Sequence, residues 1–419
     1  MRTPEWVAQV RSEFPALGQV IEGRIPAFLD GPGGSQVPRR VIEAMARAMV
    51  EANANTHGAF PTSRRVDAEI MEARRAAADL VGASPEEIVF GPNMTTLTFQ
   101  ISRAIGRRLR PGDEIVVTRL DHDANVAPWL ALEEQGAVIR WVDFHVEDGT
   151  LDLEGLARVL SERTRVVAVG YASNALGTVN PVRRIVEMAH AVGAWVYADA
   201  VHAAPHLFVD VRELGCDFLV CSAYKFFGPH VGFLYGRMER LRALQPYKVR
   251  PAPDHPPEAF ETGTQNHEGL AGLIAAVEYL ADIGRRFGTP ADPSRRAAIR
   301  AAMEKIREHE RDLCARLLEG LEELPGVMVY GIRSMARWAE RVPTVSFRIS
   351  GRHPREVAEA LGREGIYVWD GNFYAQGVTE RLGLEGQGGL VRVGALHYNT
   401  PEEIDRLLEA LRRLVRERI

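Results

Sequence analysis

From Glu87 onward the chain alternates short apolar runs with amphipathic ones. The strand-like runs are Glu87–Phe90, Glu114–Thr118, Val138–Val142, Arg165–Val169, Trp195–Ala198, Phe218–Cys221 and Gly232–Tyr235. Helical patterns lie between them at Ala124–Gln135, Asp152–Leu160 and Val182–Val192. Strand, helix, strand at this spacing predicts a mostly parallel sheet with helices on both faces. Ligands of such sheets bind at the carboxyl ends of the strands, so residues just past each run are the ones to inspect.

The pattern changes near Gly284–Arg296, a stretch rich in Gly, Pro and Arg that separates Leu270–Ala281 from a long helical run, Ala297–Glu323. Beyond it come strand-like runs at Val327–Tyr330, Val345–Ile349, Tyr367–Trp369 and Leu390–Val393, with helices at Pro354–Arg363 and Pro401–Arg416. This predicts a large α/β domain over 26–285 and a smaller α+β domain with a mainly antiparallel sheet over 286–419. Residues 1–25 are expected to pack on the smaller one.

Composition narrows the function classes. The chain has 419 residues and a formal net charge of -5, which argues against a dedicated nucleic-acid binder. No apolar run is long enough for a membrane span, and the first residues lack the apolar stretch of a secretory signal. Three cysteines, Cys216, Cys221 and Cys314, with no CxxC spacing give neither a disulfide framework nor a thiolate metal site. A cytoplasmic address and no metal are expected.

Five predicted strand ends carry residues suited to chemistry. Lys225 follows Phe218–Cys221 in DFLVCSAYKFFG, where an apolar setting lowers the amine's pKa and makes it nucleophilic. Asp199 ends WVYAD, placed to pair with a cationic ring nitrogen, and His202 follows it. Asn93, Met94 and Thr95 open a helix after a strand, where free N–H groups and the helix dipole favour an anion such as phosphate. His122 can stack on an aromatic cofactor, and Asn174 can hydrogen-bond a ring oxygen. Singly, each has an ordinary structural reading: a surface lysine, a helix cap, a loop histidine, an Asx-turn. Jointly, a lysine, an aspartate for a ring nitrogen and a phosphate cradle form the set that pyridoxal phosphate requires.

At these residues the sequence resembles the fold-type I pyridoxal-phosphate enzymes, and more narrowly the class V aminotransferases of the cysteine desulfurase (SufS-like) group. The similarity runs from FLDGPGGSQVP (Phe28–Pro38) to VRVGALHYNTPEEID (Val391–Asp405). It implies a large domain with a mostly parallel seven-stranded sheet, a smaller α+β C-terminal domain, and pyridoxal 5'-phosphate as cofactor. It also implies Lys225 as the Schiff-base lysine, Asp199 on the pyridine nitrogen, and His122 stacked on the ring and available for acid–base steps. Met94, Thr95, Ser222 and Tyr224 are implied at the phosphate, with Tyr224 where most desulfurases have histidine. His202, where glutamine is common, approaches the ring oxygen, and Asn174 lies near ring and substrate. The stretch FETGTQN resembles the family's E-x-G-T-x-N motif, whose threonine, here Thr264, reaches the phosphate of the neighbouring subunit in a homodimer. Arg392 matches the arginine that binds the substrate α-carboxylate by a two-pronged contact. His57 aligns with a substrate-side histidine.

One departure matters. Desulfurases of this group carry a loop cysteine that accepts sulfur; the matching stretch here, Gly365–Ala375, reads GIYVWDGNFYA and puts Tyr374 at that position. A phenol cannot form a persulfide. Trp369, Asp370, Asn372 and Phe373 also replace the family's residues, which implies a reshaped substrate pocket. The leading expectation is a desulfurase-like C–S or C–Se lyase acting on cysteine or a derivative. The alternatives are an aminotransferase or amino-acid epimerase of the same family, and a protein that binds the cofactor without turnover.

Overall fold

The computed structural model describes residues 2–416. Seven strands form the main sheet: β1 (Ile88–Gly91), β2 (Glu114–Thr118), β3 (Val138–Val142), β4 (Thr164–Gly170), β5 (Trp195–Asp199), β6 (Phe218–Ser222) and β7 (Gly232–Gly236). Their order is β1-β7-β6-β5-β4-β2-β3, and only β7 runs against the rest. Every residue of β2, β5's last four and all of β6 and β7 are buried, as expected when helices cover both faces and strands read as continuous apolar runs. The edge strand β3 is mostly half-buried.

The helix Met94–Gly106 crosses from β1 to β2, and Val182–Ala191 crosses from β4 to β5. The expected helix Ala124–Gln135 is instead three short pieces: 3-10 turns at Asp123–Asn125 and Ala131–Gln135 flank a single turn, Ala127–Leu130. Pro128 lies in that turn and lacks the N–H a continuous helix would need.

A second sheet, wholly antiparallel, contains β8 (Val327–Tyr330), β9 (Thr344–Ile349), β10 (Trp369–Gly371) and β11 (Leu390–Gly394) in the order β10-β11-β9-β8. The run expected as one strand at Tyr367–Trp369 divides at Val368. Ile366–Tyr367 pairs in parallel with Ala27–Phe28, and Trp369 starts β10 beside β11. The long helix Arg295–Glu322 serves both lobes: Ala298–Ile306 contributes to the core under the main sheet, while Leu313–Leu321 contributes to the core of the second.

The N-terminal segment touches both lobes. Thr3 and Arg11 bond Glu402 and Glu403 of the helix Pro401–Arg416. Phe14 packs edge-on against Phe227 and Tyr279 beneath the main sheet, and at 5.1 Å from Tyr398. His397 closes this cluster through a 2.5 Å bond with the Tyr279 hydroxyl.

Candidate active site

The carboxyl ends of β1, β2, β4, β5 and β6 open on one cavity of about 560 Å³, lined by Asn93, Met94, Thr95, His122, Asn174, Asp199, His202, Ser222, Tyr224 and Lys225 among others. A second compartment of about 660 Å³ adjoins it and shares Thr95, His122, Asn174, Tyr224 and Lys225; it adds Arg392 and Tyr374. Each lies within the roughly 300–1,000 Å³ usual for small-molecule sites.

The turn expected to cradle an anion lies where β1 leads into the helix Met94–Gly106. Asn93 caps that helix by accepting from the Thr96 N–H at 2.9 Å, and the Met94 N–H donates to Ser222 Oγ at 2.9 Å. The exposed Thr95 adds a hydroxyl. Gly232 on β7 lies so close that a Cβ there would meet the Asn93 backbone at 2.6 Å.

Lys225 sits in the turn after β6. Its Nζ donates to the Pro32 carbonyl and lies 4.9 Å over the Tyr224 ring. Burial, and then the charge of Arg392, push the amine down to about 7, while Asp199 and Asp30 pull it up. Tyr224 itself stacks on His230 at 5.1 Å. Asp199, buried at the end of β5, accepts from the Val201 N–H at 2.8 Å, and burial lifts its carboxyl to about 6.

His122 accepts from the Ala124 N–H at Nδ1, 3.0 Å, so its neutral ring carries hydrogen on Nε2. Burial, helped by the charges of Lys225 and Arg392, lowers this imidazole to about 4. His202 bonds Thr344 Oγ1 at 2.8 Å, and burial holds it well below the usual imidazole range. Asn174 donates to the Phe373 carbonyl at 2.9 Å. Arg392, buried on β11, donates to the Asn174 carbonyl at 3.0 Å and lies 4.2 Å over the Phe373 ring. Burial lowers its guanidinium to about 9. Two buried atoms here, Asn174 Oδ1 and Arg392 Nε, have no hydrogen-bond partner among the described residues.

Tyr374 is largely exposed and stacks on His122 with ring centroids 5.6 Å apart. Two sequence candidates stand apart. His57 is exposed and turned toward Asp67, its Nδ1 3.5 Å from Oδ1. Thr264 lies in an exposed loop and lines neither compartment.

The structure adds residues that were not singled out from sequence. Asp121 is buried next to His122 and accepts from the Gly170 N–H at 2.7 Å and Asn125 Nδ2 at 2.8 Å. Burial and the charge of Asp199 lift it to about 7. It ties the β2 turn that carries His122 to the end of β4. Asp30 is half-buried, its Oδ1 enclosed without a partner among the described residues, and it is lifted to about 6 by burial against the pull of Arg392 and Lys225. A carboxylate directly before a candidate histidine was a readable signal for Asp121; Asp30 carried none.

All three cysteines are buried, and burial raises every thiol, Cys216 to about 12. Among the described residues there is no cluster suited to a metal ion, and no helix is long and apolar enough to cross a membrane.

The family model described as aminotransferase class-V matches residues 27–289 and 296–407. A probable cysteine desulfurase of Synechocystis sp. (strain ATCC 27184 / PCC 6803 / Kazusa) is 34% identical over 432 residues, 99% of this chain and 97% of that protein. A probable cysteine desulfurase of Mycolicibacterium paratuberculosis is 35% identical over 424 residues; the match takes in 97% of this chain but spans only 58% of that relative's length. Among solved structures, the cysteine desulfurase from Thermococcus onnurineus NA1 matches with a TM-score of 0.86 at 30% identity, covering 100% of this chain and 99% of that one.

Proposed function

The chain belongs to the class-V aminotransferase family of pyridoxal-phosphate enzymes, and from that footing we propose that it cleaves the bond between Cβ and sulfur or selenium in cysteine or a derivative, without a protein thiol. The observation that carries this reading is one cavity system holding Lys225, Asp199 and Arg392, in a chain whose three thiols are all buried.

The residues present fit pyridoxal phosphate. The N–H groups and hydroxyls at Met94, Thr95 and Ser222 suit its phosphate, and the bare Cα of Gly232 keeps that turn clear. Asn174 Oδ1 and Arg392 Nε, without partners among the described residues, are free to meet polar groups of a bound ligand. When bound, the cofactor supplies a ring that withdraws the electron pair released at the substrate Cα.

The protein's own groups do the rest. The Asp199 carboxylate holds a proton at the ring nitrogen. Lys225, whose amine is about half uncharged at pH 7, would anchor the cofactor and then take the Cα proton. Arg392 grips the α-carboxylate through paired N–H groups. His122, neutral with hydrogen on Nε2, can donate a hydrogen bond toward a leaving group, while the proton itself comes from Lys225 or water. Buried thiols with raised pKa give no thiolate to attack sulfur. The β-substituent must therefore depart unaided, as those of cystine, cysteine sulfinate and selenocysteine can.

Product analysis tests this. The cofactor-loaded protein is mixed separately with cysteine, cystine, cysteine sulfinate and selenocysteine. Alanine indicates loss of the β-group with retention of the amine, and pyruvate with ammonia indicates β-elimination. Return of all four unchanged refutes the reading. The exposed phenol of Tyr374 at His122 favours one second reading, transamination or α-epimerisation of another amino acid.

We extend the proposal to quaternary structure. Thr264 and His57 are assigned to the site of a second copy in a homodimer, which accounts for their exposure in the single chain. The reduced, buried cysteines suit a cytoplasmic address. The division into residues 1–25, 26–285 and 286–419 is proposed on the same footing.

A further inference from the structure

In the single chain, the compartment around Arg392 is walled differently from the first cavity. Phe99, Trp369, Phe373 and Tyr374 line it with aromatic surface, and Ala127 adds a small residue to the wall. The Trp369 indole lies so close to Gly33 that a Cβ there would meet its Nε1 at 2.2 Å, so a bare backbone fixes this ring.

The backbone of this wall is strained. Phe373 and Tyr374 both adopt φ 57, a left-handed conformation uncommon for aromatic residues and rarer still in succession. The strain is held by two residues of the site. Asn174 Nδ2 donates to the Phe373 carbonyl at 2.9 Å, and the Asp123 N–H donates to the Tyr374 carbonyl at 2.6 Å. The pinned turn sets Phe373 under Arg392 and Tyr374 over His122.

Asp123 lines the same compartment, and among the described residues its half-buried carboxylate has no hydrogen-bond or ion-pair partner. The other carboxylate there, Asp370, is already paired with Arg355 at 3.1 Å. A free carboxylate among aromatic faces is the arrangement that binds an organic cation, by charge and by ring quadrupole together.

We infer that this compartment binds the substrate's side chain, and that the preferred substrate is an S-substituted cysteine whose substituent is aromatic or similarly bulky and ends in a positive charge. The inference rests on the reading above that the site takes a sulfur-bearing amino acid, and it adds that cysteine itself is not the best fit. Arg392 fixes the α-carboxylate, the aromatic wall takes the substituent, and Asp123 meets its cationic end.

The test uses four ligands with one backbone: S-methyl-, S-benzyl-, S-(4-aminomethylbenzyl)- and S-(4-carboxybenzyl)-L-cysteine. Binding to the cofactor-loaded protein is followed by the fast absorbance change on mixing, before turnover, and products are then quantified separately. The benzyl ligand should bind about tenfold or more tighter than the methyl one, the least expected for burying a group of that size. The aminomethyl ligand should bind tightest and the carboxy ligand weakest of the three aromatic ones. Asp123→Asn should bring those two within about twofold of each other, and Trp369→Ala should remove most of the benzyl advantage. Equal or tighter binding of S-methylcysteine, a preference for the carboxy ligand, or no binding by any of the four overturns the inference. Binding in the expected order without cleavage leaves the inference standing and refutes the lyase reading. Cleavage with the methyl ligand preferred does the reverse.

Discussion

Lys225 is one of only three lysines in 419 residues, so its ionisation can be read in the whole protein. The other two lie in ion pairs, Lys248 with Asp254 at 2.9 Å and Lys305 with Glu308 at 3.4 Å. Burial and Arg392 bring the Lys225 amine to about 7, against about 10.4 for a free lysine. At pH 7.5 about three quarters of Lys225 is then neutral, compared with roughly one part in a thousand of a free lysine, a gain of several hundredfold in nucleophile. The assay is a brief pulse of acetic anhydride on cofactor-free protein across a pH series, with the extent of acetylation at each lysine read from peptide masses. Lys225 should reach half its limiting rate near pH 7. Arg392→Gln removes a repelling charge and should move that midpoint up; Asp199→Asn removes an attracting one and should move it down. A Lys225 midpoint above about pH 9, or a downward shift in Arg392→Gln, would refute the electrostatic account of the nucleophile.

The same shift makes a stability prediction. The folded pKa lies below the unfolded one, so charge on Lys225 opposes folding fully below about pH 7, and the penalty fades as the pH climbs toward 10.4. Cofactor-free Lys225→Met should therefore outlast the wild type in denaturant at pH 7, by on the order of 4 kcal/mol, with the gap closing by pH 10; a constant gap would argue against it. For His122, nitrogen chemical shifts should report a neutral ring with hydrogen on Nε2 down to about pH 5, whereas titration near 6.5 would contradict the lowered pKa. Gly232→Ala forces a Cβ onto the Asn93 backbone and should weaken cofactor retention about tenfold or more, at a folding cost of roughly 1–3 kcal/mol; unchanged retention in dialysis would remove Gly232 from the cradle. If the active site is shared between copies, Thr264→Ala mixed with Lys225→Ala should restore one working site per mixed dimer, and strictly additive losses would refute sharing.

The main sheet was legible because its inner strands are buried on both faces and so read as unbroken apolar runs ending in polar residues. That punctuation placed Lys225, Asp199, Asn174, His122 and Thr95 at strand ends, and the cavity gathers all five. Pattern was weaker where one residue changes a strand's partner, as at Val368, or where a proline interrupts a helix, as at Pro128. Asp121 and Asp30 depend on what lies beside them in space: Gly170 and Asn125 for one, Lys225 and Arg392 for the other. The left-handed Phe373 and Tyr374 were invisible to propensity, since aromatic residues give no warning of positive φ. His57 and Thr264 are exposed and line neither compartment, and nothing in the strand pattern separates them from the residues the cavity gathers.

The central claim is cleavage at Cβ without a protein thiol, and the enzyme's own mass during turnover tests it most directly. Holoenzyme consuming cysteine, cystine or selenocysteine is quenched at intervals, and intact protein and cysteine-bearing peptides are weighed alongside the products. The account predicts accumulating product with Cys216, Cys221 and Cys314 unmodified at every time point. A persulfide or selenopersulfide that appears on any of the three and then decays as product forms would contradict it.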